Sequence, residues 1–171
     1  MIGHVQVYTG DGKGKTTAAV GLAVRACGAG LRVYLGQFLK DGSSSEIRLL
    51  RARCPEIKVE HFGTGRFVTG SPSAGEIAAA RAGLNALADA LASAAYDVVI
   101  ADEINVACHV GCLTPADVLR LLDLRPPHVE LVLTGRDADP RVLERADLVT
   151  EMKSIRHYFD AHQAGRPGIE R

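Results

Sequence analysis

A lysine and a threonine stand side by side at the end of a glycine-rich stretch near the start of the chain. The stretch runs from Thr9 to Thr17 and reads TGDGKGKTT. Its residues Gly14, Lys15 and Thr16 match the end of the pattern GxxxxGK(S/T). In that pattern backbone N–H groups surround phosphates, the lysine reaches the outer phosphates and the hydroxyl binds magnesium. These residue types predict a phosphate-binding loop.

The first position of this pattern is a threonine here instead of a glycine. Glycine is needed where the backbone adopts positive φ or approaches a ligand closely, and the loop still has three glycines. The dinucleotide pattern GxGxxG is excluded, because its third glycine would fall on Lys15. We therefore predict a phosphate loop with a variant first position, whose nucleotide-binding residues are Thr9, Gly10, Asp11, Gly12, Lys13, Gly14, Lys15, Thr16 and Thr17.

Two carboxylates follow an apolar run further along the chain. The run DVVIA at 97–101 ends in Asp102 and Glu103. A phosphate-loop protein needs one acidic residue to hold magnesium beside the loop hydroxyl and another to position or polarise. We predict a magnesium site formed by Thr16, Asp102 and Glu103. Because the two acids are adjacent, the sequence leaves open which of them touches the metal.

Polar residues also follow two other predicted strands. Gln37 and Lys40 come at the end of one, and Arg136 follows Gly135 at the end of another. Strand exits line the ligand crevice of a parallel α/β sheet, so these residues are candidates for the site. An arginine there would bind phosphate bidentately, where a lysine would be only a point charge. Simple solvation of Gln37 and Lys40 is the alternative.

A second glycine-rich loop lies at 63–70 and carries Arg66 and Phe67. It has too many glycines for a regular element. Loops of this kind often form one wall of a binding site, although an ordinary connection has the same composition.

Strand and helix patterns alternate along the chain and must position these residues. Apolar or alternating runs predict strands at 2–8, 31–38, 57–62, 97–103, 128–134 and 148–152, and helical periodicity fills the intervals. Capping boxes are predicted at Ser43 with Glu46 and at Ser73 with Glu76, and a helix at 114–124 begins with a Thr-Pro cap. The alternation predicts an α/β fold of the P-loop type (RecA-like), with a mostly parallel sheet between helices. The length of 171 residues predicts one domain, 1–171.

The bulk composition excludes several classes of protein. The formal net charge is zero, so no overall basic field attracts nucleic acid. No apolar run approaches the ~20 residues that cross a bilayer, and no signal peptide is evident, so we expect a soluble cytoplasmic protein without membrane partners. The four cysteines are scattered, and small buried residues are favoured over a zinc site.

Several motifs follow one another in a specific order. They are Tyr8 to Thr17, Gln37-Phe38-x-Lys40, Asp102-Glu103-x-Asn105, Leu133-Thr134-Gly135-Arg136, Ala146 to Met152, and His157-x-Phe159-Asp160 with Gly168-Ile169-Glu170. Together they resemble the phosphate-loop ATP:corrinoid adenosyltransferases over essentially the whole chain. The phosphate loop alone is common to many ATPases, whereas the set of motifs is specific.

The resemblance implies transfer of the 5′-deoxyadenosyl group of ATP to the Co(I) of a reduced corrinoid, with release of triphosphate, in adenosylcobalamin biosynthesis or salvage. It implies ATP and Mg²⁺ at the phosphate loop, a homodimer and a flavin-type reductase as partner. Catalytic roles fall to Lys15, Thr16, Glu103 and Arg136. A phosphoryl-transferring kinase or ATPase, which would release ADP, and a nucleotide-regulated binding module are the alternatives.

The resemblance also implies a corrinoid surface that includes the loop at 63–70. Relatives carry aromatics there that help to exclude the lower axial ligand of the corrinoid. This chain has Phe67 but no tryptophan, and it has Arg66 where some relatives have phenylalanine. A different corrinoid, such as a precursor without the lower nucleotide loop, would fit this departure. The implied corrinoid-binding residues are Gln37, Lys40, Arg66, Phe67 and Asn105.

Overall fold

The computed structural model describes residues 2–65, 68, 70–158 and 165–169. Its strands form a single sheet. The bounds are β1 (Val5–Thr9), β2 (Val33–Phe38), β3 (Ile57–Phe62), β4 (Val98–Asp102), β5 (Glu130–Thr134) and β6 (Leu148–Glu151).

Helices connect the strands in the order that the alternating pattern predicts. Their bounds are α1 (Lys15–Gly28), α2 (Ser45–Arg53), α3 (Ala74–Ala92), α4 (Ile104–His109), α5 (Pro115–Leu124) and α6 (Pro140–Glu144). Among the described residues, no helix is long and apolar enough to cross a bilayer.

The strands are all parallel and lie in the order β3-β2-β4-β5-β1-β6. The strand that leads into the phosphate loop, β1, therefore lies between β5 and β6. Parallel strands have their carboxyl ends at one edge of the sheet, so the loops after β1, β2, β4 and β5 meet there. This edge holds the candidate site.

Both faces of the sheet are buried at its strands β2, β4 and β5. Alternate residues of β2 belong to two separate apolar clusters: Val33 and Leu35 face the cluster that includes α1 and α2, whereas Tyr34 and Phe38 face the one with α3 and α5. Such alternation follows from the two-residue period of a strand, and burial on both faces is typical of parallel sheets covered by helices. The predicted α/β fold with a parallel sheet between helices is confirmed.

Some predictions of helix caps and strand ends are confirmed, and others were wrong. The capping box at Ser73 and the cap at Thr114 are confirmed, and each residue makes reciprocal hydrogen bonds with the acid three residues later. The box at Ser43 with Glu46 was wrong, because Ser44 is the N-cap of α2 and makes no side-chain cap bond. Strand β1 begins at Val5 instead of residue 2, since Ile2 is 79% exposed and the register with β5 starts at Val5.

Candidate functional site

The loop between β1 and α1 has the backbone that a phosphate loop needs. Gly10 and Gly14 have φ of 90° and 125°, values that side chains rarely permit. Gly14 is also the N-cap residue of α1. The first helical N–H groups therefore point into the loop, and the partial positive charge of the helix end favours an anion there.

Lys15 is held inside this loop. Its Nζ donates hydrogen bonds to the carbonyl oxygens of Gly10 at 2.5 Å and Gly12 at 2.7 Å, and the residue is 7% exposed. Burial lowers the pKa of Lys15, and the nearby charge of Arg136 lowers it further. The ammonium is thus fixed at the loop, where an incoming anion would find it already in place.

Asp102 ends β4 and is completely buried. Its Oδ1 accepts hydrogen bonds from Thr16 Oγ1 at 2.9 Å and Thr134 Oγ1 at 2.7 Å. Its Oδ2 accepts from Gln37 Nε2 at 3.0 Å and Lys40 Nζ at 2.7 Å. Burial acts to raise the pKa of Asp102, but the Lys40 charge and these hydrogen bonds outweigh it and hold the pKa below its usual range.

Glu103 follows in a left-handed conformation, with φ of 64°. Its N–H donates to Thr134 Oγ1 at 3.0 Å, which fixes the turn after β4. The side chain is 24% exposed, and its Oε1 lies 4.0 Å from Lys40 Nζ. Burial and the neighbouring charge of Asp102 raise the pKa of Glu103. A left-handed non-glycine residue costs of the order of 1 to 3 kcal/mol and is typical of functional sites.

Gln37 and Lys40, predicted from their place after β2, both face the acid pair. Gln37 is fully buried, and its Oε1 has no hydrogen-bond partner among the described residues. Besides its contact with Asp102, Lys40 Nζ donates to Thr16 Oγ1 at 3.0 Å. Both residues therefore belong to the phosphate-loop side of the site.

Arg136 and Asn105 have different surroundings. Arg136 is exposed, and its Nη2 donates to the carbonyl oxygen of Asp11 at 3.2 Å, so it lies across the outer side of the loop. Asn105 is 2% exposed and donates to the carbonyl oxygen of Gly135 at 3.4 Å. Asn105 is thus buried at the start of α4, beside the exit of β5.

Two residues of the site were missed by reasoning from the sequence. Thr134 joins Asp102 to the backbone of Glu103, and the carbonyl oxygen of Met152 accepts a hydrogen bond from the loop N–H of Gly12. Both lie in motifs that the sequence singles out, since Thr134 stands directly before Gly135. Neither motif shows by itself which atom its residues contact.

The predicted corrinoid residues Arg66 and Phe67 lie outside the described residues. The start of their loop does not. A Cβ added at Gly63 would lie 2.4 Å from the backbone carbon of Leu39, so this loop begins in close contact with the exit of β2. The loop therefore starts beside Lys40, at the same edge of the sheet as the phosphate loop.

The side-chain oxygen atoms at this edge of the sheet suit a hard divalent cation. Magnesium is usually held by one or two protein oxygens, with phosphate oxygens and waters completing the octahedron. The described residues include no cluster of three or more His, Cys, Asp or Glu that could hold a metal alone. Thr16 and Glu103 offer a hydroxyl and a carboxylate, and the unpartnered Gln37 Oε1 is an additional buried acceptor. This donor set fits magnesium that enters with phosphates.

Comparison with known proteins gives consistent results. A family model described as ATP:corrinoid adenosyltransferase BtuR/CobO/CobP matches residues 2–171. The chain is 36% identical over 169 residues to a corrinoid adenosyltransferase of Pseudomonas aeruginosa, covering 98% of this chain and 83% of that protein. It is 34% identical to one of Escherichia coli K12 over 169 residues, covering 98% and 85%. It is 35% identical to corrinoid adenosyltransferase CobA of Salmonella typhimurium, again covering 98% and 85%.

Among solved structures, the chain is similar to the RadB recombinase with a TM-score of 0.56. The sequence identity is 14%, and the match covers 91% of this chain and 77% of RadB. This likeness concerns the fold alone.

Proposed function

Because this chain belongs to the ATP:corrinoid adenosyltransferase family, we propose that the loop after β1 holds the triphosphate of ATP as the leaving group of adenosyl transfer. The enzyme is a transferase that adenosylates corrinoids in cobalamin biosynthesis, with ATP and a corrinoid as its substrates. The observation that carries this conclusion is the family match over residues 2–171, in a chain whose phosphate loop and acid pair meet at one edge of the sheet.

The reaction determines what the site must provide. The Co(I) nucleophile attacks C5′ of the ribose, a cobalt–carbon bond forms, and the bond from C5′ to the α-phosphate oxygen breaks. The electron pair of that bond stays on the oxygen, so triphosphate leaves with an additional negative charge. No proton has to be removed from the nucleophile, and the main requirement is stabilisation of developing negative charge.

We assign that stabilisation to groups around the loop. Lys15 is already directed inward by two loop carbonyls and needs only to exchange them for phosphate oxygens. Arg136 lies against Asp11 and can close over the outer side of the phosphates with a bidentate contact. The N–H groups at the start of α1 supply further donors.

We propose that Thr16 and Glu103, not Asp102, hold magnesium directly. All four hydrogen bonds to Asp102 come from protein groups, so its oxygens are already engaged. We assign Asp102 the role of orienting the Thr16 hydroxyl. Bound magnesium would neutralise charge on the triphosphate.

The contacts revise three of the proposed corrinoid residues. Gln37 and Lys40 bond to Asp102, and Asn105 bonds to the carbonyl oxygen of Gly135. We therefore assign all three to positioning of the phosphate site. Arg66 and Phe67 remain our candidates for contact with the corrinoid, because their loop begins beside the exit of β2.

Two partners are proposed on the resemblance alone. The acceptor must be reduced to Co(I) before it can attack, so we propose an electron donor of the flavin-reductase type. A homodimer is the assembly that the resemblance favours, and light scattering of the purified protein tests it.

The decisive experiment identifies the phosphate product. The protein is incubated with ATP, magnesium and a chemically reduced corrinoid, and a parallel sample lacks the corrinoid. We expect triphosphate in a one-to-one ratio with adenosylated corrinoid, and only when the corrinoid is present. Equal amounts of ADP and phosphate in both samples would contradict the proposal and assign the loop to phosphoryl transfer.

A further inference from the structure

The Lys40 ammonium lies among the oxygen atoms that a divalent cation would contact. Its Nζ is 3.0 Å from Thr16 Oγ1, 2.7 Å from Asp102 Oδ2 and 4.0 Å from Glu103 Oε1. Thr16 and Glu103 are the proposed protein ligands of the metal, and Asp102 accepts a hydrogen bond from the Thr16 hydroxyl. A protein cation therefore lies within this set of oxygen atoms.

The charges of this arrangement explain why a cation is needed there. Asp102 is completely buried, and Glu103 adds a second, partly buried carboxyl group. An uncompensated charge at such a position is costly, and Lys40 is the cation that contacts Asp102 among the described residues.

An ammonium and a divalent cation cannot share these oxygens. Two positive charges within about 3 to 4 Å of each other repel strongly, even where solvent partly screens them. If a metal binds Thr16 and Glu103, Lys40 must move away from Thr16. Because its side chain is 30% exposed, it has an open direction in which to move. The departure leaves Asp102 Oδ2 with one fewer donor and able to accept from a metal-bound water.

We propose that Lys40 is a built-in cation that occupies the divalent-metal position in this arrangement and leaves it when a metal enters with ATP. This inference rests on the proposed nucleotide site but not on the corrinoid reaction. It assigns Lys40 a positioning role. It also explains how free metal would be kept out. Only the negative charge of the bound triphosphate would stabilise the metal together with the displaced Lys40 ammonium.

The test is metal binding without corrinoid. Mn²⁺ serves as the probe, and the unbound ion is counted by electron paramagnetic resonance in wild type, Lys40→Met and Lys58→Met. Lys58 is an exposed lysine of β3 that pairs with Glu60, so it is a matched control far from the loop. In the absence of nucleotide we expect Lys40→Met to bind Mn²⁺ about tenfold or more tighter than wild type, and Lys58→Met to be unchanged.

The same titrations with ATP present measure the coupling between metal and nucleotide. In wild type we expect ATP to tighten Mn²⁺ binding strongly, since it offsets the expulsion of Lys40. In Lys40→Met that tightening should be smaller by about the factor gained in the absence of nucleotide, because no ammonium is left to be expelled when metal and ATP bind together. A lysine with a merely structural role would leave this coupling unchanged.

A second variant guards against loss of the fold. Lys40→Gln keeps an uncharged donor toward Asp102 and should show the same gain in Mn²⁺ affinity as Lys40→Met, with wild-type circular dichroism. Folded variants that bind Mn²⁺ no tighter than wild type would overturn the inference. The proposed function would be untouched by that result, because the triphosphate assay with corrinoid tests it separately.

Discussion

The N–H of Gly12 donates a hydrogen bond of 2.6 Å to the carbonyl oxygen of Met152, and the N–H of Met152 donates to the carbonyl oxygen of Thr9 at 2.8 Å. The chain leaving β6 is thus bonded to the phosphate loop at two points. A Cβ at Gly10 or Gly12 would come within 2.5 or 2.7 Å of the Met152 oxygen. The close approach of this backbone therefore requires glycine at both loop positions.

Replacing Gly12 by alanine tests this contact. Besides the Met152 oxygen, the new methyl group would lie 2.8 Å from the carbonyl carbon of Lys153, and both are backbone atoms that cannot turn aside. We expect Gly12→Ala to lower the free energy of unfolding by about 1 to 3 kcal/mol and to weaken ATP binding. Urea denaturation and calorimetric titration with ATP measure the two effects.

Gly21→Ala is the matched control. Gly21 lies inside α1, and an added Cβ would meet nothing within 4 Å. Alanine is favoured over glycine in a helix interior by about 0.5 to 1 kcal/mol, so this variant should be more stable than wild type. A Gly12→Ala protein as stable as Gly21→Ala would show that the contact with Met152 yields easily.

Asp102 and Glu103 should respond differently to loss of charge. Asp102→Asn disturbs four hydrogen bonds and leaves Lys40 without its closest partner, so we expect a loss of about 2 to 4 kcal/mol in unfolding free energy. Glu103→Gln should change stability by less than about 1 kcal/mol, because burial already disfavours its charge. The metal-dependent turnover of Glu103→Gln should nevertheless fall by about 100-fold.

Denaturant melts and turnover at saturating magnesium compare the two variants. If Asp102→Asn kept wild-type stability, the four hydrogen bonds would be worth far less than we infer. If Glu103→Gln kept wild-type turnover and metal affinity, the assignment of Glu103 as the metal-binding acid would be incorrect.

Lys15 should be essential for binding the triphosphate. Lys15→Ala removes the one ammonium that the loop carbonyls of Gly10 and Gly12 direct inward. We expect ATP affinity to fall by at least about 100-fold, as is usual for loss of a charged hydrogen bond of about 3 kcal/mol. Calorimetric titration measures the loss, and Lys58→Ala on β3 should bind ATP like wild type. Near-normal affinity of Lys15→Ala would place the phosphates elsewhere.

A hydrogen bond far from the site predicts a dependence of stability on pH. Tyr34 Oη donates to Glu60 Oε2 at 2.5 Å, and this bond lowers the pKa of Glu60. A lowered folded-state pKa contributes stability above the ordinary carboxyl pKa, and this contribution is lost as pH falls through the lowered value. Tyr34→Phe should therefore cost about 0.5 to 1 kcal/mol near pH 7 and less in acid.

Denaturation of wild type and Tyr34→Phe across pH 3 to 7, roughly the range around the ordinary glutamate pKa, checks this prediction. A difference between the two proteins that grew toward acid would contradict the assigned sign.

The fold was readable from the sequence because its signals are local. The bounds of β3 agree with the strand predicted at 57–62, and the capping box at Ser73 and the cap at Thr114 mark the starts of their helices. Ser43 and Ser44 show the limit. Adjacent serines offer the same chemistry, and only the path of the chain decides which of them begins α2.

The site was readable only in part. The phosphate loop and the acid pair were predicted from their glycine, lysine, threonine and acidic residues, because the chemistry of these groups depends on residue type. The role of Thr134 depends on β4 and β5 being neighbours, and that of Met152 depends on a backbone oxygen. A single sequence records neither the order of strands in a sheet nor the direction of a carbonyl group. The position of Gln37 at the end of β2 indicated that it belongs to the site, but it did not predict that Gln37 is buried against Asp102.

The place of β1 between β5 and β6 determines when the nucleotide site can form during synthesis. Strands β2, β3 and β4 can pair with one another as soon as they emerge from the ribosome. The N–H of Val5, in contrast, bonds to Asp147 across 142 positions, and closing so long a segment is entropically costly and slow. We expect β1 to join the sheet only after β5 and β6 have been synthesised. Nascent chains should therefore acquire ATP affinity only after β6 has been made. Nucleotide binding would then report completed folding of the whole sheet.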